Sequence, residues 1–173
     1  MKRPFILIIT GPCGAGKSTI SKQIADKINK TAFLEIDNIR GMLGKYEANY
    51  STYSKEAKKQ IKLSMDNTIS IGKNFIKKGY NVIIDDVLEK KQQISYYKKG
   101  FRKQNIFIIL LLPNKKTLQH RDKHRETKTM GQRALELHDR FSNISNNKDW
   151  YVIDTSKHKV NNTVQEIIKI IGR

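Results

Sequence analysis

The sequence predicts an α/β fold, a five-stranded parallel sheet with helices on both faces. Three observations carry that prediction. Five short apolar runs alternate with helical patterns along 173 residues. The runs are continuous rather than alternating, as in strands buried on both faces. The first run also leads through a glycine-rich turn straight into a helical pattern, the order that builds an anion cradle. With no internal repeat and no linker, residues 1–173 are expected to form a single domain.

Residues 5–10, Phe-Ile-Leu-Ile-Ile-Thr, are the first strand. The next nine, Gly11-Pro12-Cys13-Gly14-Ala15-Gly16-Lys17-Ser18-Thr19, fit G-x-x-x-x-G-K-[ST] at every fixed position. Glycines let such a loop curl with its N–H groups inward, and the following helix N-terminus adds to the positive field. Gly11, Gly14, Ala15, Gly16, Lys17, Ser18 and Thr19 are therefore the expected contacts of a nucleoside triphosphate. Lys17 should reach the β- and γ-phosphates, and the Ser18 hydroxyl should complete the shell of a Mg²⁺ ion. ATP and Mg²⁺ are the cofactors this motif predicts.

Ile20, Ile24 and Ile28 continue as a helix, and residues 32–36 read as a second strand ending at Asp37. Residues 41–54 read as a loop or irregular turn. From Lys55 a long helix shows the stripe Ala57, Ile61, Met65, Ile69, Gly72 and Phe75, locally weakened at Gly72 and stopped by Gly79. Residues 82–87 are the third strand and contain Asp85 and Asp86. A helix over about 90–101 turns Ile94 and Tyr97 inward. Residues 106–112 are the fourth strand, closed by Pro113. Two polar helices over about 115–125 and 131–141 follow, and 115–133 is the candidate lid. A polar loop (143–149), a short fifth strand (151–153) and an amphipathic helix (164–171) close the chain.

Composition narrows the partners. Thirty-four Lys and Arg against sixteen Asp and Glu give a net charge of +18, spread over most of the chain. Such a balance suits nucleotides, nucleic acid or another phosphate-bearing partner, or else a lysine-rich surface that serves solubility. Cys13 is the only cysteine, which excludes a disulfide framework and a cysteine metal cluster. The longest apolar run, 106–113, is too short to cross a bilayer. With only Met1-Lys2-Arg3-Pro4 before the first strand, no cleavable signal is expected. A cytoplasmic protein without membrane partners, monomeric or weakly homodimeric, is expected.

Ligands of parallel sheets sit at the carboxyl ends of the strands, which brings Gly11, Asp37, Asp85, Asp86 and Asp154 to one edge. Hydroxyl phosphorylation needs a held triphosphate, Mg²⁺, a base aimed at the hydroxyl, and positive charge on the migrating group. Asp37, one strand away from the loop and ending its strand, is the expected base; a helix cap for residues 38–43 is the competing role. Asp85 and Asp86 follow an apolar run, so one can serve the magnesium and the other the acceptor. Strand alternation leaves open which does which, and Asp85 is paired here with Ser18 at the metal. Arg121 and Arg125 lie four apart on one helix side, and with Arg133 they are the lid cations expected near the phosphates. His120 and His124 lack a third ligand, so no zinc site is expected.

These residues resemble the small P-loop kinases, above all the chloramphenicol phosphotransferase-like group. The resemblance rests on residues 11–19, Asp37, Val82-Ile83-Ile84-Asp85-Asp86-Val87, the Arg121 to Arg125 stretch and Asp154-Thr155-Ser156-Lys157-His158. It implies an adenylate kinase-type P-loop NTPase fold with a short lid. It also implies that Asp37 deprotonates an acceptor hydroxyl and that the turn carrying Thr155 and Lys157 lies beside the adenine. The segment after Asp37 departs from the group. Asp37-x-x-Arg40 instead resembles the acceptor motif of polynucleotide 5′-hydroxyl kinases, in which the arginine holds a substrate phosphate. Asp37, Arg40, Asp85 and Asp86 are thus the expected acceptor contacts, with Tyr46, Tyr50 and Tyr53 on a pocket rim. The expected activity is ATP-dependent phosphorylation of a hydroxyl on a small antibiotic-, nucleoside- or sugar-like molecule. A polynucleotide or nucleotide 5′-hydroxyl kinase is the second reading, and a nucleotide-binding regulatory ATPase the third.

Overall fold

In the computed structural model of the protein, residues 3–45, 54–124, 129–146 and 148–172 are described. The strands are β1 (Phe5–Thr10), β2 (Thr31–Glu35), β3 (Asn81–Asp85), β4 (Asn105–Leu111) and β5 (Tyr151–Ile153). The helices are α1 (Lys17–Lys27), α2 (Ile36–Gly41), α3 (Lys55–Lys77), α4 (Lys91–Gly100), α5 (Lys115–Lys123), α6 (Gln132–Ile144) and α7 (Val160–Ile170). The sheet runs β2-β3-β1-β4-β5, and each neighbouring pair is parallel. All six residues of β1 are buried at its centre.

Alternate residues of the central strands feed two separate cores. Ile6, Ile8, Val82, Ile84, Ile108 and Leu110 pack with Met65, Ile69, Tyr97, Leu137 and Phe141 of α3, α4 and α6. Leu7, Ile9, Ile83, Ile109 and Leu111 pack with Ile20, Ile24, Val164 and Ile167 of α1 and α7. Burial of each such side chain stabilises the fold by about 1.5–3 kcal/mol. A sheet held this firmly on both faces is a rigid support for the loops at its carboxyl edge.

Several boundaries differ from the sequence reading. β2 ends at Glu35, and Asp37 lies in the first turn of α2 rather than at a strand end. Ile36, Ile39 and Arg40 are the buried residues of that helix, a spacing of three and four that a helix satisfies and a strand cannot. β3 also lies between β2 and β1, so Asp37 approaches the glycine loop across an intervening strand. β3 stops at Asp85. Beyond it, the Asp86 N–H still donates to the Ile9 carbonyl (3.2 Å) and the Leu88 N–H to Thr10 Oγ1 (2.9 Å). α6 runs on to Ile144, and α7 begins at Val160. Tyr46, Tyr50 and Tyr53 lie outside the described residues. Gly72 of α3 does more than weaken its helix: a Cβ there would come within 2.9 Å of the Phe101 ring.

Candidate active site

The glycine loop is shaped by two positions that tolerate no side chain. At Gly11 (φ 145°) an added Cβ would meet the Leu111 carbonyl oxygen at 2.3 Å, so the chain leaves β1 pressed against the end of β4. Gly16 (φ 95°) is the N-cap of α1 and supplies no side-chain cap. The first N–H groups of α1 are therefore left for an anion. Lys17 Nζ donates to the Pro12 carbonyl at 3.4 Å, folding the side chain back across the loop.

Asp85 and Asp86 are adjacent, yet they face opposite sides of the sheet. The Ser18 hydroxyl donates to Asp85 Oδ2 at 2.5 Å. Burial raises the Asp85 pKa, with the Lys17 charge and the Ser18 hydrogen bond pulling it back. A serine hydroxyl and a carboxylate are both hard oxygen donors, which fits Mg²⁺. Asp86 accepts three bonds inside the fold: from the Val87 N–H (2.8 Å), Arg40 Nη2 (3.0 Å) and the Tyr97 hydroxyl (3.1 Å). The Tyr97 pKa is pushed well above its ordinary value by burial and by Asp86, so the hydroxyl remains a donor.

Arg40 links this buried carboxylate to the surface. Its side chain is 4% exposed, and Nη1 donates to Asp37 Oδ1 at 3.1 Å. Asp37 is 78% exposed at the other end of the chain of bonds. Glu35, not Asp37, occupies the N-cap of α2, and it makes no side-chain cap bond. Asp37, Asp85, Asp86, Lys17 and Ser18 line one open cavity of about 750 Å³, and its wall continues to Arg121 and Thr155.

The lid cations divide. Arg121 donates from Nη1 to Thr155 Oγ1 (3.0 Å) and Ala15 O (3.5 Å), and from Nη2 to Thr155 O (2.8 Å). Partial burial lowers its pKa while the Asp154 charge opposes the change. The guanidinium thereby joins α5, the glycine loop and the turn after β5. Arg133 is elsewhere. It donates to Glu89 Oε1 at 3.0 Å, and Arg140 takes the second oxygen at 2.6 Å. That buried carboxylate draws Arg133 away from the cavity wall. Lys157 is exposed and also outside the lining. Arg125 lies outside the described residues.

Sequence reasoning missed three groups here. Glu89 was signalled only by Arg133 and Arg140, which are seven apart and so share a helix face. Asp122 accepts from the Met130 N–H (2.9 Å) and the Gly131 N–H (2.7 Å), shaping the break between α5 and α6. His124 and His158 line the cavity without any motif that announces them.

Comparison with known proteins gives consistent results. The family model described as "AAA domain" matches residues 6–141. A guanylate kinase of Prochlorococcus marinus is 29% identical, the match covering 96% of this chain and 96% of that protein. The tunicamycin resistance protein of Deinococcus radiodurans superposes with a TM-score of 0.74 at 16% identity, covering 98% of this chain and 96% of that one. A sugar kinase of Janibacter sp. gives 0.71 at 16% identity, with 97% and 94% covered. Shikimate kinase of Acinetobacter baumannii, in complex with shikimate, gives 0.66 at 18% identity, with 98% and 93% covered. These likenesses establish the fold.

Proposed function

We propose that this chain, which belongs to the AAA domain family, is an ATP-dependent kinase that phosphorylates a hydroxyl of a small molecule. One observation carries the reading. An exposed carboxylate, Asp37, shares a cavity with the phosphate loop and is held there by a buried arginine. A triphosphate bound at the loop would accept from the N–H groups at the start of α1 and from Lys17, which would exchange the Pro12 carbonyl for phosphate oxygens. Ser18 and Asp85 would hold Mg²⁺, which supplies positive charge for the phosphoryl oxygens. The acceptor oxygen forms a bond to the γ-phosphorus as the bond to the β–γ bridging oxygen breaks, ADP leaves, and Asp37 takes the hydroxyl proton.

Arg40 favours a small acceptor over a polynucleotide. Its guanidinium is engaged by Asp86 and Asp37 inside the fold, so it orients the base instead of clamping a substrate phosphate. A regulatory ATPase has no need of a supported carboxylate facing an acceptor space. The resemblance to guanylate kinase brings a nucleotide acceptor into the same test. ATP consumption with Mg²⁺ should be measured against antibiotics, nucleosides, sugars, guanylate and 5′-hydroxyl oligonucleotides. Acceptor-dependent turnover with a small hydroxyl compound is expected. Turnover that no acceptor stimulates would return the chain to the regulatory reading, and stimulation by oligonucleotides alone to the polynucleotide one.

A further inference from the structure

The positive charge is denser in two stretches of the chain than elsewhere. Residues 55–78 and 90–103 contain thirteen Lys and Arg against only Glu56 and Asp66. These two stretches, α3 and α4 with their flanks, supply eleven of the eighteen net charges. All thirteen cations are exposed. The two helices are also locked against one another. A Cβ on Gly100 would lie 2.5 Å from Ile69 Cδ1, and one on Gly72 would press on Phe101, so small residues let the backbones approach.

The close approach leaves a groove of about 620 Å³ along the outside of the crossing, sharing no lining residue with the phosphate-loop cavity. Lys73, Lys99 and Arg102 line it with Asp66, Ser70 and Tyr96. Its only carboxylate is already neutralised. Asp66 accepts from Lys62 Nζ (2.9 Å) and from the Tyr96 hydroxyl, and these bonds lower its pKa. Lys73, Lys99 and Arg102, by contrast, have no carboxylate within 4.0 Å among the described residues. Cations that serve solubility alone have no reason to converge on one concave site.

We propose that the α3–α4 face binds the phosphate backbone of single-stranded nucleic acid, with the groove of Lys73, Lys99 and Arg102 at its centre. The inference is independent of the kinase reading, since the groove is separate from the cavity. Three features favour a nucleic acid over an anionic membrane surface. The site is concave, its apolar lining residue Ile69 is buried, and the Tyr96 ring is covered at 5.5 Å by Lys62. Nothing in the groove offers an apolar anchor for a bilayer. With no free carboxylate or amide row to read base edges, binding should be insensitive to sequence.

The test is fluorescence anisotropy with a labelled mixed-sequence single-stranded RNA, from about 50 to 200 mM salt. Wild type should bind with an affinity that falls steeply with salt. The triple variant Lys73→Ala/Lys99→Ala/Arg102→Ala should bind at least about tenfold more weakly, with a log–log slope shallower by about 2, or roughly 0.7 per lost phosphate contact. A control triple, Lys27→Ala/Lys148→Ala/Lys169→Ala, lowers net charge equally but should leave most of the affinity. Melting temperature and ATP turnover of both triples report that they fold. Equal loss in the two triples would reduce the effect to bulk charge and overturn the proposal. No measurable RNA binding by wild type would overturn it too. So would tighter binding to vesicles with about 30% phosphatidylserine that the groove triple abolishes, which would assign the face to lipid.

Discussion

The two halves of the cavity are built on opposite plans, and Asp85 and Asp86, at the end of β3 and just beyond it, mark the border. On the nucleotide side, backbone does the work. Gly11 and Gly16 hold the loop open, α1 presents its first N–H groups, and Asp85 meets Ser18. On the acceptor side, side chains do it. Tyr97 holds Asp86, Asp86 holds Arg40, and Arg40 holds Asp37. A backbone cradle suits a ligand of invariant shape such as a triphosphate. A relay of side chains can be retuned by substitution, which suits the half that selects the acceptor.

Four measurements sharpen or break this contrast. The largest effect is expected on the nucleotide side. Lys17→Ala should abolish phosphoryl transfer while leaving the melting temperature nearly unchanged, because Lys17 packs in no core and bonds only weakly, at 3.4 Å, to Pro12. Calorimetric titration with ATP and Mg²⁺ alongside turnover checks it. Retained affinity and turnover would remove the loop from the mechanism.

The acceptor side should show the reverse pattern, a mutation that damages stability more than nucleotide binding. Asp86→Ala leaves Arg40, 4% exposed, without its buried countercharge. Removing one partner of such a pair destabilises by about 3–5 kcal/mol, well above the effect of an exposed ion pair. Urea denaturation of the two proteins measures it. A loss below about 1 kcal/mol would mean that the Asp86 bond is not what supports Arg40 in the relay.

The third test touches the far end of the relay. Asp37→Asn should preserve ATP binding and lower transfer about 10²–10⁴-fold, toward the low end if the transition state is loose. Its exposure of 78% predicts little change in stability. Wild-type turnover at saturating acceptor would show that Asp37 is no base.

The same contrast explains what could be read from sequence. The glycine loop was legible because its chemistry is local: nine consecutive residues carry the motif, and the strand before it and the helix after it follow from apolar spacing. The parallel sheet was legible for a similar reason, since central strands such as β1 and β3, buried on both faces, leave continuous apolar runs. The acceptor side was not. Arg40 reads as an acceptor contact, three residues from Asp37, and nothing nearby in sequence announces its bond to Asp86, forty-six residues away. Arg133 likewise reads as a lid cation until Glu89, forty-four residues distant, captures it. Arg121 is bound to Thr155 and to the Ala15 carbonyl of the glycine loop, partners that nothing in the local pattern of α5 announces. Long-range ion pairs leave no periodic trace in a sequence.

The smallest effect is a pH dependence, and its sign distinguishes Asp85 from other carboxylates of the fold. Burial raises the Asp85 pKa above its ordinary 3.8, so the folded protein holds that proton more tightly than the unfolded chain. Stability from this group is therefore full below 3.8 and declines as pH rises through the window up to its folded value. Asp154 has the opposite sign: the Ser156 hydroxyl and N–H lower its pKa, and its contribution is lost as pH falls. Total stability mixes these slopes, so the measurement that isolates Asp85 is the difference between wild type and Asp85→Asn. An asparagine does not titrate, and it should gain on wild type as pH rises from about 4, by an amount that levels off once Asp85 is ionised. Adding Mg²⁺ and ATP should shrink the gap in the ionised range, because a cation beside Ser18 and Asp85 offsets the burial that creates it. A gap that is flat with pH, or indifferent to Mg²⁺ and ATP, would show that Asp85 neither feels its burial nor serves the metal.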